Sequence, residues 1–179
     1  LAYLLDPFEA DLVQRCMNRE QHAQRLLYDR YKDAMYTILF RMLDDEDDAA
    51  DALQEAFVEV FRSLEKYRRL SSLGAWIKVI VIRAGLAQQR TKKLDFEPIT
   101  DRLPEEQSLV WDENMTGEYL HAAIRQLSPG YRNVFLLIEV EGYSHKEAAG
   151  LLQITEGTSK SQLFNAKKIL QQKLKKLMY

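Results

Sequence analysis

Apolar residues recur three and four positions apart through the first ninety residues, which is the helical period, and no β-branched run is bounded by hairpin turns. Over residues 23–42 one stripe joins Leu26, Leu27, Tyr31, Met35, Ile38, Leu39 and Met42. A second joins Ala49, Ala50, Leu53, Phe57, Val60, Phe61 and Leu64. The acidic run 44–48 precedes it, where the positive end of the helix dipole favours each carboxylate by about 0.3–1 kcal/mol. A third apolar stretch, 73–86, carries Trp76, Ile77, Val79, Ile80, Val81 and Ile82 and turns basic at Arg90, Lys92 and Lys93. With an N-terminal helix, these predict a four-helix bundle over residues 1–93.

The pattern then stops. Residues 94–117 hold seven acidic side chains, one basic one (Arg102) and two prolines, with little periodicity, which predicts a linker. Helical signals resume over 118–179. Ser128 followed by Pro129 reads as an N-cap with proline in the first turn, and Gly142 ends that helix. Ser144 with Glu147 three residues on predicts a capping box. That helix stops near Leu152, and Thr155 caps a last one reaching about Leu177 with a basic end. The expected fold class is therefore all-α, two small helical domains joined by an acidic linker.

Two short helices separated by a few residues, the second polar and basic on its first turns, describe a helix-turn-helix. Ala148 and Ala149 are small where the two would cross, and Leu151, Leu152, Ile154 and Leu163 supply a shared core. The second helix would offer Thr158, Lys160, Ser161, Gln162, Asn165 and Lys168, groups able to address base edges and phosphates. The same pattern also fits a solvated surface helix.

Composition narrows the classes. The 179 residues carry 25 Lys+Arg against 27 Asp+Glu, 7 Gly, 4 Pro and 1 Cys, which excludes collagen-like and low-complexity chains. Cys16 cannot form an internal disulfide, no apolar run approaches the roughly 20 residues of a spanning helix, and the opening residues lack an export-leader pattern. A cytoplasmic protein without a membrane span is expected. The net charge of −2 argues on its face against nucleic acid, but it is unevenly spread. Residues 1–93 balance, 94–117 are net −6, and 118–179 hold nine basic and five acidic side chains.

The residues at this point resemble a family. LSPGYRNVFLLIEVEGYSHKEAAGLLQITEGTSKSQLFNAKKIL, over 127–170, is similar to region 4 of the extracytoplasmic-function (ECF) sigma factors of bacterial RNA polymerase. DALQEAFVEVF and GAWIKVIVIRAGLAQQR, within 50–90, resemble region 2, and AQRLLYDRYKDAMY resembles the family's opening helices. The resemblance implies a region 2 domain over 1–93, a linker over 94–117 that enters polymerase channels, and a region 4 domain over 118–179.

It also implies site residues. Asp51, Gln54, Glu55 and Phe57 would dock on the β′ clamp helices of core RNA polymerase, an acidic and amide face beside an aromatic anchor. The −10 promoter element would meet stacking surfaces and cations drawn from Tyr67, Arg68, Arg69, Trp76, Lys78, Arg83 and Arg90, with Lys92 and Lys93 beyond. Trp76, on the apolar stripe, reads as core more than as platform. The −35 contacts fall on Lys160, Ser161, Gln162, Phe164, Asn165 and Lys167 beside Thr158, with Lys160, Lys167, Lys168 and Arg132 mostly on phosphates. Region 4 would lie near the β flap. An anti-sigma factor is a further partner that the family implies, and promoter DNA is the ligand.

The chain departs from the family's pattern at several of these positions. Arg83 stands where Asn is common, Ala87 where an acid or amide is, and Gln162 and Asn165 where Arg is usual. Gln153 occupies a turn position usually glycine, and Ser159 a buried position usually β-branched. Because arginine reads guanine in a way that Gln and Asn do not, autonomous promoter recognition is expected to be weak. An activator or a separately targeted DNA-binding protein would then help to place the factor.

Other chemistries find little support. The run 44–48, DDEDD, is similar to the magnesium motif of helical prenyl-transferring enzymes, but no second acidic motif faces it, so a helix cap is expected. His22, His121 and His145 are scattered, and no glycine-rich phosphate loop occurs. No enzyme activity and no cofactor are expected. The alternative reading is a stand-alone helix-turn-helix regulator or a protein-only adaptor.

Overall fold

The computed structural model describes residues 7–92 and 117–177, which belong to two units, each with its own core. The linker expected over 94–117 lies outside the described residues except for Gly117.

The first unit contains α1 (Pro7–Met17), α2 (Gln21–Leu43), α3 (Glu46–Ser63) with a 3₁₀ turn (Leu64–Lys66), and α4 (Leu73–Lys92). Helices α2, α3 and α4 pack on one another, and α1 covers α2 and the 3₁₀ turn. Leu27, Leu39 and Met42 of α2, Val60 of α3 and Ile77, Val81 and Ile82 of α4 are fully buried, as the stripes predict. Ala50 and Leu26 are exceptions, since both are exposed. Gly85 sets the approach of α4 to α2: a Cβ there would lie 2.9 Å from Leu39 Cδ2. The acidic run divides its work. Asp44, at φ 57°, closes α2, and Asp45 caps α3 by accepting the Asp48 N–H at 2.9 Å. Asp48 itself is buried and accepts from Gln88 Nε2 of α4 at 3.1 Å. The cap expectation therefore describes the run well.

The second unit contains α5 (Gly117–Arg125), α6 (Pro129–Phe135) running into a π-helical turn (Leu136–Val140), α7 (His145–Leu152) and α8 (Glu156–Leu177). Helix α8 is the spine against which α5, α6 and α7 pack. Its buried Leu163, Ala166, Leu170 and Leu174 share a core with Ile124, Val134, Phe135 and Leu137. Ser128 sits at the N-cap of α6, but its side chain makes no cap hydrogen bond. Gly142, at φ 76°, follows the π turn instead of ending a regular α-helix.

Candidate nucleic-acid interface

On α3, Asp51, Gln54 and Glu55 are exposed and, at helical spacing, share one face. Phe57 does not join them. It is 3% exposed and packs edge-on against Tyr28 at 4.8 Å and beside Phe61 at 6.1 Å, so it is a core residue and not the expected anchor. The apolar member of the face is Val58, 56% exposed, which follows Asp51 by seven residues and Gln54 by four. That spacing is legible in the sequence, but which apolar residue of α3 stays exposed is set by packing.

Between the 3₁₀ turn and α4 the chain forms a loop, residues 67–72. Tyr67 closes it, donating its hydroxyl to the Ser71 carbonyl at 2.7 Å while its ring lies 5.3 Å from that of Trp76. Ser72 accepts the Ala75 N–H at 3.2 Å and so starts α4. Arg69 adopts left-handed backbone at φ 57°, and Leu70, next to Arg68 and Arg69, is 79% exposed. Arg68 and Arg69 are exposed as well.

Beside this loop an open cleft of about 490 Å³ lies between α3 and α4. Trp76, Ile80 and Arg83 line it from α4, Glu55 and Glu59 from α3, and Lys66 from the 3₁₀ turn. Trp76 is thus half-buried and presents ring surface to the cleft, which corrects its reading as core. The reason is periodicity: residues 76, 80 and 83 share one face of α4, while 77, 81 and 82 take the core-facing one. Arg90, seven residues beyond Arg83, continues that side and is exposed. Lys78 does not line the cleft.

In the second unit, the Ser144–Glu147 capping box is complete. The Ser144 Oγ accepts the Glu147 N–H at 3.3 Å, and Glu147 accepts the Ser144 N–H at 2.9 Å. The Ser144 hydroxyl also donates to the Glu147 carboxylate at 2.6 Å, and that bond first, then the one from the Ser144 N–H, holds the Glu147 carboxyl below the ordinary glutamate range. Helix α7 ends at Gln153 with φ 58°, and Thr155 caps α8 by accepting the Thr158 N–H at 3.0 Å. Ala148 and Ala149 are buried at the crossing. Ser159 is fully buried, and its Oγ lies 3.0 Å from His145 Nδ1, so a polar link joins the two helices at the position where the family usually has a β-branched residue. The scattered-histidine reading missed that pair, because residues 14 apart are brought together only by the turn.

Helix α8 sorts the expected contacts. Lys160 and Lys168 are exposed, with Lys160 2.8 Å from Glu156, whose carboxyl it holds below the ordinary range. Thr158, Ser161, Gln162, Phe164 and Asn165 are half-buried, and Ser161 donates to the Thr158 carbonyl at 3.1 Å. Lys167 turns toward Glu139 of the π turn at 2.7 Å. Arg132 is not a surface cation: it is 8% exposed and donates to the carbonyls of Arg125 and Leu127, bracing the α5–α6 turn. Among the described residues no cluster of potential metal ligands occurs, and no helix is long and apolar enough to cross a membrane.

Two family models match the chain, Sigma-70 region 2 over residues 27–94 and Sigma-70, region 4 over residues 117–170. The ECF RNA polymerase sigma factor SigE of Mycolicibacterium smegmatis is 27% identical over 157 residues, covering 82% of this chain and 60% of that protein. The RNA polymerase sigma-H factor of Pseudomonas aeruginosa is 26% identical over 186 residues, covering 95% of both. The sigma factor RpoE of Bartonella quintana, solved in complex with the anti-sigma factor NepR, shares the fold with a TM-score of 0.60 at 20% identity, over 84% of this chain and 96% of that one. Matched in chain order by both regions and along nearly its whole length by such relatives, the chain belongs to the ECF sigma factors.

Proposed function

We propose that this chain binds core RNA polymerase and directs transcription initiation through −10 and −35 contacts, with region 2 over 1–93, an acidic linker over 94–117 and region 4 over 118–179. The observation that carries the reading is the cleft in the first unit, where Trp76 stands beside Ile80 and the cations Arg83 and Lys66, with the carboxylates of Glu55 and Glu59 on the α3 side. An unstacked base of a melted strand needs an aromatic surface with cations along its backbone, and base–aromatic stacking is worth about 1–3 kcal/mol. Tyr67, Arg68, Arg69 and Arg90 extend that surface. Asp51, Gln54, Glu55 and Val58 form the face offered to the basic clamp helices, an apolar residue within a ring of acceptors.

In the second unit, Lys160, Ser161, Gln162 and Asn165 address the −35 major groove, and Lys168 a phosphate. Gln and Asn pair best with adenine, so guanine readout is weak here and a DNA-bound partner assists placement. An anti-sigma factor, of the kind seen with the Bartonella protein, is the proposed inhibitor.

Run-off transcription with purified core polymerase decides the matter. Initiation from a promoter only when this chain is added supports the reading, and failure to bind core polymerase in a pull-down overturns it in favour of a stand-alone regulator or adaptor. Robust initiation without any further factor would overturn partner-assisted placement alone.

A further inference from the structure

We propose that Glu9 and Tyr31 are positioning residues for the −10 site: they hold the loop 67–72 from beneath without belonging to it. The inference rests on the −10 reading of that loop given above.

Both ends of the loop lean on the same support. Its N-terminal end leaves the 3₁₀ turn Leu64–Lys66, which packs on α1. Its C-terminal end enters α4 at Leu73–Gly74, and Gly74 lies directly on Tyr31, since a Cβ there would come within 3.1 Å of Tyr31 Cε1. Tyr31 is in turn tied to α1, its hydroxyl donating to Glu9 Oε1 at 2.7 Å. The Glu9 side chain is only 12% exposed, and Arg30 Nη2 approaches the same oxygen at 3.4 Å. Burial, with the Glu9 bond behind it, pushes the Tyr31 phenol up to about 12, so it stays a donor at any working pH.

Helix α1 precedes the region 2 match, which begins at residue 27. Yet it fixes one end of the loop directly and the other through Tyr31. Within the loop, Tyr67 is latched to Ser71 and Arg69 is held in left-handed backbone, so the exposed Arg68, Arg69 and Leu70 inherit whatever angle the two ends impose. A site held to within a fraction of an ångström needs such a supporting layer. Tyr31→Phe removes the O–H bond but keeps the ring under Gly74, whereas Gly74→Ala pushes the ring from the opposite side.

The test uses the full chain with core polymerase. Run-off yield is measured on its best promoter and on templates with single −10 substitutions, beside core-binding affinity and amide exchange over 67–72. For Tyr31→Phe and Gly74→Ala the discrimination ratio is expected to fall by about three- to tenfold, the span of one hydrogen bond's net worth, with core binding unchanged and exchange in the loop faster. Glu9→Gln, which keeps an acceptor for the phenol, is expected to retain most of the discrimination. Unchanged ratios and exchange in both variants overturn the proposal while leaving the sigma reading intact. A wild-type chain that does not discriminate −10 templates overturns that reading, and this one with it.

Discussion

Gln153 and Ser159 are single positions at which this chain departs from the sigma pattern, and the structure gives each a physical cost or remedy. Gln153 adopts φ 58°, a conformation in which a Cβ costs roughly 1 kcal/mol. Gln153→Gly is expected to raise the stability of the second unit by about that amount, read from urea unfolding. The buried Ser159 hydroxyl has His145 as its partner. His145→Ala is expected to destabilise by about 1–3 kcal/mol because it leaves that hydroxyl unsatisfied, and adding Ser159→Val should recover most of the loss. A double-mutant cycle in thermal unfolding checks the coupling. Both substitutions were legible in the sequence as departures. The pairing of Ser159 with His145 was not, since hydrogen-bond partners 14 residues apart carry no local signature.

Helices carry the next level of argument. The apolar stripes of α2, α3 and α4 correctly identified most core positions, because a 3.6-residue period leaves little choice about which face is buried. They erred where two apolar faces met on one helix. Helix α4 is apolar nearly all round, and pattern alone could not say that Trp76 and Ile80 face a cleft while Ile77 and Val81 face the core. The stripe of α3 placed Phe57 correctly in the core, and it was the family resemblance that put it on the docking face, whose exposed apolar residue is Val58. Gly85 is where helix spacing depends on one atom: Gly85→Ala is expected to force α4 from Leu39 and Met42 and to cost about 1–3 kcal/mol in chemical denaturation.

The capping box of α7 adds a pH dependence. Glu147 is held below its ordinary value of 4.5, so its contribution is fully present above that value and is lost as pH falls through the lower folded one. The melting temperature of wild type should therefore drop more steeply on acidification than that of Glu147→Gln.

At the scale of the whole molecule, charge is segregated along the chain. The acidic total conceals a basic C-terminal segment and a run with seven acidic residues over 94–117, the expected linker. If that linker enters channels that otherwise carry nucleic acid, its charge serves initiation and not docking. Replacing Asp95, Glu97, Asp101, Glu105 and Glu106 by their amides is then expected to lower run-off yield several-fold while leaving core-polymerase affinity unchanged, and equal transcript yields would count against it.

Periodicity and caps were enough to determine an all-α chain and its two helical regions, because helix formation and dipole complementarity act within a few residues. The order of motifs was enough for the family. Which side chains stand at the sites was decided only by packing. Arg132 became a buried brace, Lys167 turned to Glu139, Phe57 entered the core and Trp76 left it. Each outcome depends on which neighbouring helix occupies a face, and that is set by contacts between residues far apart in the chain.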